Sequence, residues 1–321
     1  MAQTTAYSIG VDLGGTNLRA AAVDRAGNAL GKQAGSTGLR ESREAVVSDI
    51  VASIRTLQQR FGVDQLVGVG VAVPGFIRMK EGVVANSANL PSLEGVALRD
   101  EIQNQLGAPV ILENDANAAA LGEKWLGAGR DVDDLILLTL GTGIGGGIIM
   151  GGRIMRGHVG MAGEFGHMTI IPNGNPCGCG NTGCLEKHAS ATAISVMARL
   201  LQLGETLSAE QVFRIATEGS GEDAHKAKRI FELMGVALGI AIGNLVNAFN
   251  APLYLLSGGP LPAWDLFAPS MFAEARKRSF TFRNTETRIE KALLGNEAGL
   301  YGAAYLPFLE LSGEAGVPAA T

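Results

Sequence analysis

A strand, a glycine turn, a second strand, a small turn and a third strand occur in this chain twice. The copies start about 130 residues apart, and apolar β-compatible runs broken by Gly and Asn are hairpin signals. The first copy reads Ser8-Ile-Gly-Val-Asp12, Leu-Gly-Gly-Thr-Asn17, Leu18-Arg-Ala-Ala-Ala-Val23, with a turn at Arg25-Ala-Gly27-Asn28. The second reads Leu135-Ile-Leu-Leu-Thr-Leu140, Gly141-Thr-Gly-Ile-Gly, Gly147-Ile-Ile-Met150, with a turn at Gly151-Gly152. Helical segments follow each copy later in the chain. A repeated hairpin unit feeding helices restricts the chain to an α/β architecture of two similar halves. Two such halves facing each other put both glycine turns at one cleft.

Periodicity fills in the remainder. Residues 41–61 place Val46, Ile50, Ile54, Leu57 and Phe61 at helical spacing. Residues 66–73 form a continuous apolar run ending at Pro74-Gly75, as a buried strand does. Residues 97–106 read as a helix closed by Gly107, and 110–112 as a short strand. Ser208-Ala-Glu-Gln211 has the form of a capping box. Residues 223–249 read as one long or broken helix, 253–256 as a strand, and 312–321 as a frayed tail. The domain boundary is placed near residues 118–120, inside or at the start of a helix over 115–126. This gives a small N-terminal α/β domain over 1–118 and a larger C-terminal one over 119–296, with a helix at about 297–311 packing back on the first.

Composition narrows the class. With 321 residues, 46% apolar content and 45 glycines, the chain can bury a sizeable core in tightly wound α/β layers. Its net charge of −5 argues against nucleic acid or an anionic membrane as the main partner. No export signal is visible at the N-terminus. The most apolar long segment, residues 235–249, contains Gly239, Gly243, Asn244 and Asn247; it reads as a buried helix, too short and polar to span a bilayer. An odd cysteine count without a signal fits a reducing cytoplasm.

Gly141-Thr-Gly143-Ile-Gly-Gly146 satisfies G-x-G-x-x-G, but a strand follows it rather than the helix a dinucleotide fingerprint requires. Neither glycine turn carries the Gly-Lys-Ser/Thr of a Walker loop. Glycines still let successive backbone N–H groups converge on a phosphate. Thr16 and Asn17 in one turn, and Thr142 in the other, add side-chain donors. With no lysine in either turn, a divalent cation has to offset the phosphate charge, and Asp12 is well placed to hold Mg2+, through water. Glu113-Asn114-Asp115-Ala-Asn117 follows a strand and opens an alanine-rich helix. One helix cap needs one such side chain; the surplus makes a carboxylate here a candidate general base.

All three cysteines fall in Cys177-Gly-Cys179-Gly-Asn-Thr-Gly-Cys184, with Glu164-Phe-Gly-His167 upstream and Glu186 downstream. Three thiolates and an imidazole complete a tetrahedral zinc site with no position open for a reacting water, so the metal is structural. His158, His188 and His225 lack comparable partners and read as surface or helix residues. Trp125 and Trp264 read as packing residues.

Asp12-Leu-Gly-Gly-Thr-Asn17, Glu113-Asn-Asp-Ala-Asn117, the Gly141 turn, Glu164-Phe-Gly-His167 and Cys177-x-Cys-Gly-x-x-Gly-Cys-x-Glu186 occur in that order. Together they resemble the ROK family (repressors, open reading frames and sugar kinases), in particular its bacterial ATP-dependent glucokinases. The resemblance implies an actin- and hexokinase-like (ribonuclease H-like) fold whose two domains close on sugar and ATP. It assigns Asp12, Gly14, Gly15, Thr16 and Asn17, with Gly141, Thr142, Gly143 and Gly145, to the phosphates and Mg2+. Gly258 and Gly259 fall on the adenosine side. Asp115 becomes the catalytic base, and Gly75, Asn89, Asn114, Asp115, Glu164, His167 and Glu186 the sugar-binding set. Zinc takes His167, Cys177, Cys179 and Cys184, which leaves one ring nitrogen of His167 for the sugar. A homodimer is implied as well.

The expected activity is ATP-dependent phosphorylation of a hexose at its 6-hydroxyl, glucose first, with fructose, mannose or an N-acetylhexosamine as alternatives. Repressors of this family carry an N-terminal winged helix-turn-helix, for which the start of the first turn at Asp12 leaves no room. A sugar-sensing regulator without turnover is expected to lack the base or the phosphate glycines, both of which are present. Nothing basic enough for a polyphosphate donor is visible. Metal loss is expected to affect sugar binding, or to unfold the loop, before it reaches the nucleotide.

Overall fold

The structure, a computed structural model, describes residues 6–14, 17–36 and 42–311. Gly15 and Thr16, and the tail at 312–321, lie outside the described residues. In chain order the elements are β1 (Tyr7–Leu13), β2 (Asn17–Asp24), β3 (Ala29–Ser36), α1 (Arg43–Phe61), β4 (Leu66–Val73), β5 (Phe76–Arg78), β6 (Val83–Asn86), α2 (Leu98–Leu106), β7 (Val110–Asn114) and α3 (Asp115–Leu126). Then come β8 (Leu135–Leu140), β9 (Ile144–Met150), β10 (Arg153–Ile154), α4 (Glu186–Ala189), α5 (Ala191–Leu200), α6 (Ala209–Glu218) and α7 (Gly221–Phe249). The chain continues through β11 (Leu253–Gly258), α8 (Trp264–Arg278), α9 (Phe280–Asn284), β12 (Arg288–Lys291) and α10 (Ala298–Glu310).

The repeated pattern becomes two five-stranded sheets of the same order: β3-β2-β1-β4-β7 and β10-β9-β8-β11-β12. In the first, β1 pairs antiparallel with β2 and parallel with β4, and β4 pairs parallel with β7. In the second, β11 pairs parallel with β12 and β9 antiparallel with β10. A separate β5–β6 hairpin follows the first sheet's fourth strand.

Chain contacts divide the protein into two units: Met1–Leu135 with Gly147–Ala162 and Leu293–Thr321, and Ile136–Gly146 with Gly163–Ala292. The sequence reading put the boundary near 118–120; here all of α3 lies in the first unit. The reason is packing, since α3 and α10 cross where Gly122 and Gly302 lack a Cβ, and a methyl there would collide with Ala298 and Ala118 backbone. The Glu123 carboxylate, fully buried, accepts N–H bonds from Ala128 (2.9 Å), Leu293 (3.1 Å) and Leu294 (2.7 Å), which fixes the chain as it leads into α10. On its other side the first sheet buries Ile9, Val11, Val69 and Val71 with Ile50 and Ile54 of α1.

In the second unit, α7 is one unbroken helix of 29 residues. It is long and apolar enough to cross a membrane by length and composition, which corrects the expectation drawn from its shorter apolar part. Its burial instead marks a core helix: Ile230, Met234, Leu238 and Ile242 are fully buried. Gly235 and Gly239 bring it against α8, where a Cβ would strike the Phe267 and Met271 carbonyls.

Candidate active site

Asp115 occupies the first position of α3 at the end of β7. Asn114 is the N-cap; its Oδ1 accepts from the amides of Ala116 (2.9 Å) and Asn117 (3.2 Å), while its Nδ2 donates to the Gly75 carbonyl at 3.1 Å. Glu113, only 1% exposed, accepts from the Asn114 amide (2.9 Å), Asn117 Nδ2 (3.0 Å) and Arg156 Nε (2.7 Å). The second arm of Arg156 pairs with Glu310. The surplus of polar side chains in this motif thus sorts by task. Glu113 and Asn117 form a buried strut, Asn114 caps the helix, and Asp115 stands at its start, with Oδ1 2.9 Å from the Ala116 amide.

Gly75 has φ +114°, and a Cβ on it would meet Asn86 and Ser87. The loop beyond it is tied by Ser87 Oγ to the Pro74 carbonyl (2.6 Å) and by Glu94 to Asn86 Nδ2 and the Ser87 amide (3.1 Å each). Asn89 is exposed on this loop. Asp12, near the end of β1, pairs with Arg19 across the hairpin. Burial pushes its carboxyl above the usual carboxylate range despite Arg19, and Glu297 adds to the rise. Gly299 presents bare backbone beside the half-buried Asp12 carboxylate, and a hard oxygen donor of this kind fits a divalent cation, which would compete with Arg19 for it. Gly14 donates to the Asn17 carbonyl at 2.8 Å, closing the turn; Gly15 and Thr16 fall outside the described residues.

In the second unit, the turn at Gly141–Gly143 is closed by the Gly141 amide on the Gly143 carbonyl at 2.9 Å. β9 begins at Ile144, so Gly145 belongs to a strand rather than to the turn expected from sequence. A cavity of about 680 Å³ opens at Gly141 and Thr142. Gly259 and Pro260 line it with Phe213 and Arg214 of α6. Gly258 turns the end of β11 at φ +109°, with no room for a Cβ against the Leu140 backbone. The contribution of α6 was not identified from sequence. Its capping box at Ser208, present as both hydrogen bonds, marked a helix but not what that helix would face.

The ligand atoms of His167, Cys177, Cys179 and Cys184 all lie within 4.8 Å of one another. Cys177 Sγ is 3.7 Å from His167 Nδ1, and Cys179 Sγ is 3.7 Å from Cys184 Sγ. Zn–S bonds of about 2.3 Å give tetrahedral edges of about 3.8 Å, so donor set and spacing fit zinc. Backbone contacts shape the loop: Cys177 N to Asn181 O at 2.8 Å, Gly183 N to Asn175 O at 2.9 Å, and a bridge from Thr169 to Cys184. Burial, with the neighbouring thiols, pushes the Cys184 thiol up to about 12, and a metal bound there would have to displace its proton. The other ring nitrogen of His167, Nε2, lies 3.9 Å from Glu164 Oε2. Glu186 opens α4; its Oε2 accepts from the Ile144 amide at 3.2 Å and its Oε1 lies 3.2 Å from Lys187 Nζ.

His158 and His225 are exposed, and His188 is half-buried on α4, where burial lowers its pKa. Trp125 stacks on Tyr305 at 4.5 Å, and Trp264 packs edge-on to Phe267.

The profile of the ROK family matches residues 8–308. A glucokinase from Halalkalibacterium halodurans is 37% identical over 94% of this chain and 94% of its own. The crystal structure of a ROK hexokinase from Thermus thermophilus superposes with a TM-score of 0.86 at 34% identity, covering 96% of this chain and all of that one. A ROK family glucokinase from Streptomyces griseus, solved in complex with glucose and AMPPNP, gives 0.76 at 32% identity over 94% of this chain and 98% of its own.

Proposed function

The chain belongs to the ROK family, and from that premise we propose that it transfers the γ-phosphoryl group of ATP to the 6-hydroxyl of a hexose, glucose first. The cavity between the Gly141–Thr142 turn and Gly259 carries the reading. It offers a nucleotide glycine-opened backbone at one end and the Phe213 ring on its wall. A regulator that only senses sugar has no use for it.

In this reading Asp115 accepts the proton of the 6-hydroxyl as that oxygen attacks the γ-phosphorus in line, and ADP leaves. Little covalent chemistry is asked of the protein, so positioning supplies most of the acceleration. Glu113 and Asn114 hold the base by holding the start of its helix. Gly75, Asn89, Asn114, Glu164, His167 and Glu186 take the sugar; a carboxylate can accept from two adjacent hydroxyls at once. Phosphates fall to Gly14, Gly15, Thr16 and Asn17 and to Gly141, Thr142, Gly143 and Gly145, and the adenosine to Gly258 and Gly259. Mg2+, when bound near Asp12, neutralises phosphate charge, and zinc on His167, Cys177, Cys179 and Cys184 fixes the loop. A cytoplasmic homodimer, read from the resemblance, completes the proposal.

ADP release measured by a coupled assay across glucose, fructose, mannose and N-acetylhexosamines tests it. Highest kcat/KM with glucose is expected. Another sugar in first place replaces glucose by that sugar, and no ADP with any sugar overturns the kinase reading in favour of a regulator.

A further inference from the structure

Beyond the last cysteine ligand, one short stretch reaches the nucleotide turn at three points. Glu186 Oε2 accepts from the Ile144 amide at 3.2 Å. The Ala191 amide donates to the Gly141 carbonyl at 2.9 Å, and Thr192 Oγ1 donates to the Thr142 carbonyl at 2.7 Å. Ser190 caps α5 by accepting from the Ala193 amide at 3.1 Å, so this stretch is rigid where it meets the turn. Gly143 completes the fit, because a Cβ there would strike the Glu186 carboxylate. The stretch is itself mounted on the cysteine loop, with Leu185 N on the Met168 carbonyl at 2.9 Å and Cys184 Sγ 3.4 Å from the His167 carbonyl.

A glycine turn binds phosphate only when its N–H groups converge, and glycine loses more backbone freedom on ordering than any other residue. Bonds that occupy the Gly141 and Thr142 carbonyls fix the peptide planes whose N–H groups follow. We propose that Thr192 is a positioning residue for the nucleotide, holding the Gly141–Gly143 turn in its binding conformation through the Thr142 carbonyl, and that Glu186 shares this task through the Ile144 amide. The inference rests on the reading of that turn as a phosphate site. It adds to Glu186 a role besides the sugar, and it joins the cysteine loop to the nucleotide.

The test is calorimetry of the full-length, zinc-loaded protein with AMPPNP and with glucose, alongside hydrogen exchange of the peptide over 141–146. Thr192→Val is expected to weaken AMPPNP binding roughly threefold to tenfold, the loss of one hydrogen bond. Glucose affinity stays within about twofold, the range of a neutral surface change. The variant also speeds exchange over 141–146 without ligand, which a side chain that merely touched nucleotide would not do, and Thr192→Ser restores both. Unchanged AMPPNP affinity and exchange in Thr192→Val would overturn the proposal. If AMPPNP left 141–146 unprotected in the wild type, the phosphate reading of the turn would fail, and the proposal with it.

Discussion

The two sheets agree strand for strand and part company at the ends of their strands. In each, the fourth strand runs into a glycine held at positive φ, Gly75 at +114° just beyond β4 and Gly258 at +109° as the last residue of β11. A helix follows the fifth strand in both, α3 after β7 and α10 after β12. In the first sheet that junction is Asn114-Asp115, a cap and a carboxylate. In the second it is Leu293-Leu294, amides held by Glu123. The first sheet also has Asp12 near the end of its central strand, where the second has Thr139. After the third strand, the first continues into one helix, while the second inserts the cysteine loop and four helices before β11. A common scaffold thus carries Asp115 and Asp12, the proposed base and cation ligand, in one copy, and the Gly141–Gly259 cavity and the cluster of His167 with three cysteines in the other.

The sharpest test of that division is Asp115→Ala. It is expected to lower kcat by about two to four orders of magnitude while calorimetry shows sugar affinity largely intact. Near-normal turnover would take the chemistry away from the first sheet. Zinc removal comes next: chelated protein, verified metal-free, should show KM for both sugar and ATP raised about tenfold or more, as expected when supporting contacts are lost. An effect on sugar alone would return the metal to the narrower role read from sequence. The matched glycines offer a paired test. Gly75→Ala and Gly258→Ala should each lower stability by about 2–4 kcal/mol in chemical denaturation, from strain and collision with backbone. The former should raise sugar KM and the latter ATP KM; the same kinetic phenotype in both would erase the distinction between the copies.

Asp12→Asn is expected to have the smallest effect on stability and the opposite sign. Burial raises the Asp12 pKa, so the folded protein holds its proton to higher pH than the unfolded chain does. The charged carboxylate therefore destabilises the fold increasingly as pH rises from the unfolded pKa through the folded one. In metal-free protein the asparagine variant should melt a few degrees higher at most near neutral pH. That advantage should vanish on acidification below both pKa values, and thermal melts across pH check it.

The repeat was legible because hairpins announce themselves locally: alternating apolar residues, then glycine. The clustering of His167 with the three cysteines was legible for the same reason, as three of the four sit within eight residues. The capping box at Ser208 and the αL glycine at Gly107 also appeared where local chemistry placed them. Partners distant in sequence did not. Nothing around Arg156 signals that it neutralises Glu113, 43 residues away. Nothing around Phe213 or Arg214 signals a cavity wall. The short β5–β6 hairpin was missed because residues 76–86 mix apolar and charged side chains without a clean period. For α7 the span was legible almost in full, 223–249 against the observed Gly221–Phe249, while its glycines left open whether it is broken.

Ser8 in the first strand donates to the carbonyl of Ala304 in the last helix, 296 residues further on. Gly10 and Gly70 are bare so that this helix can lie on β1 and β4. Synthesis makes those strands well before α10, so one face of the first sheet emerges from the ribosome without this cover. Closing that loop is entropically slow, and the uncovered face is a site for wrong pairings while the rest of the chain is made. The chain must therefore keep that sheet face open until the helix 296 residues beyond Ser8 has been translated.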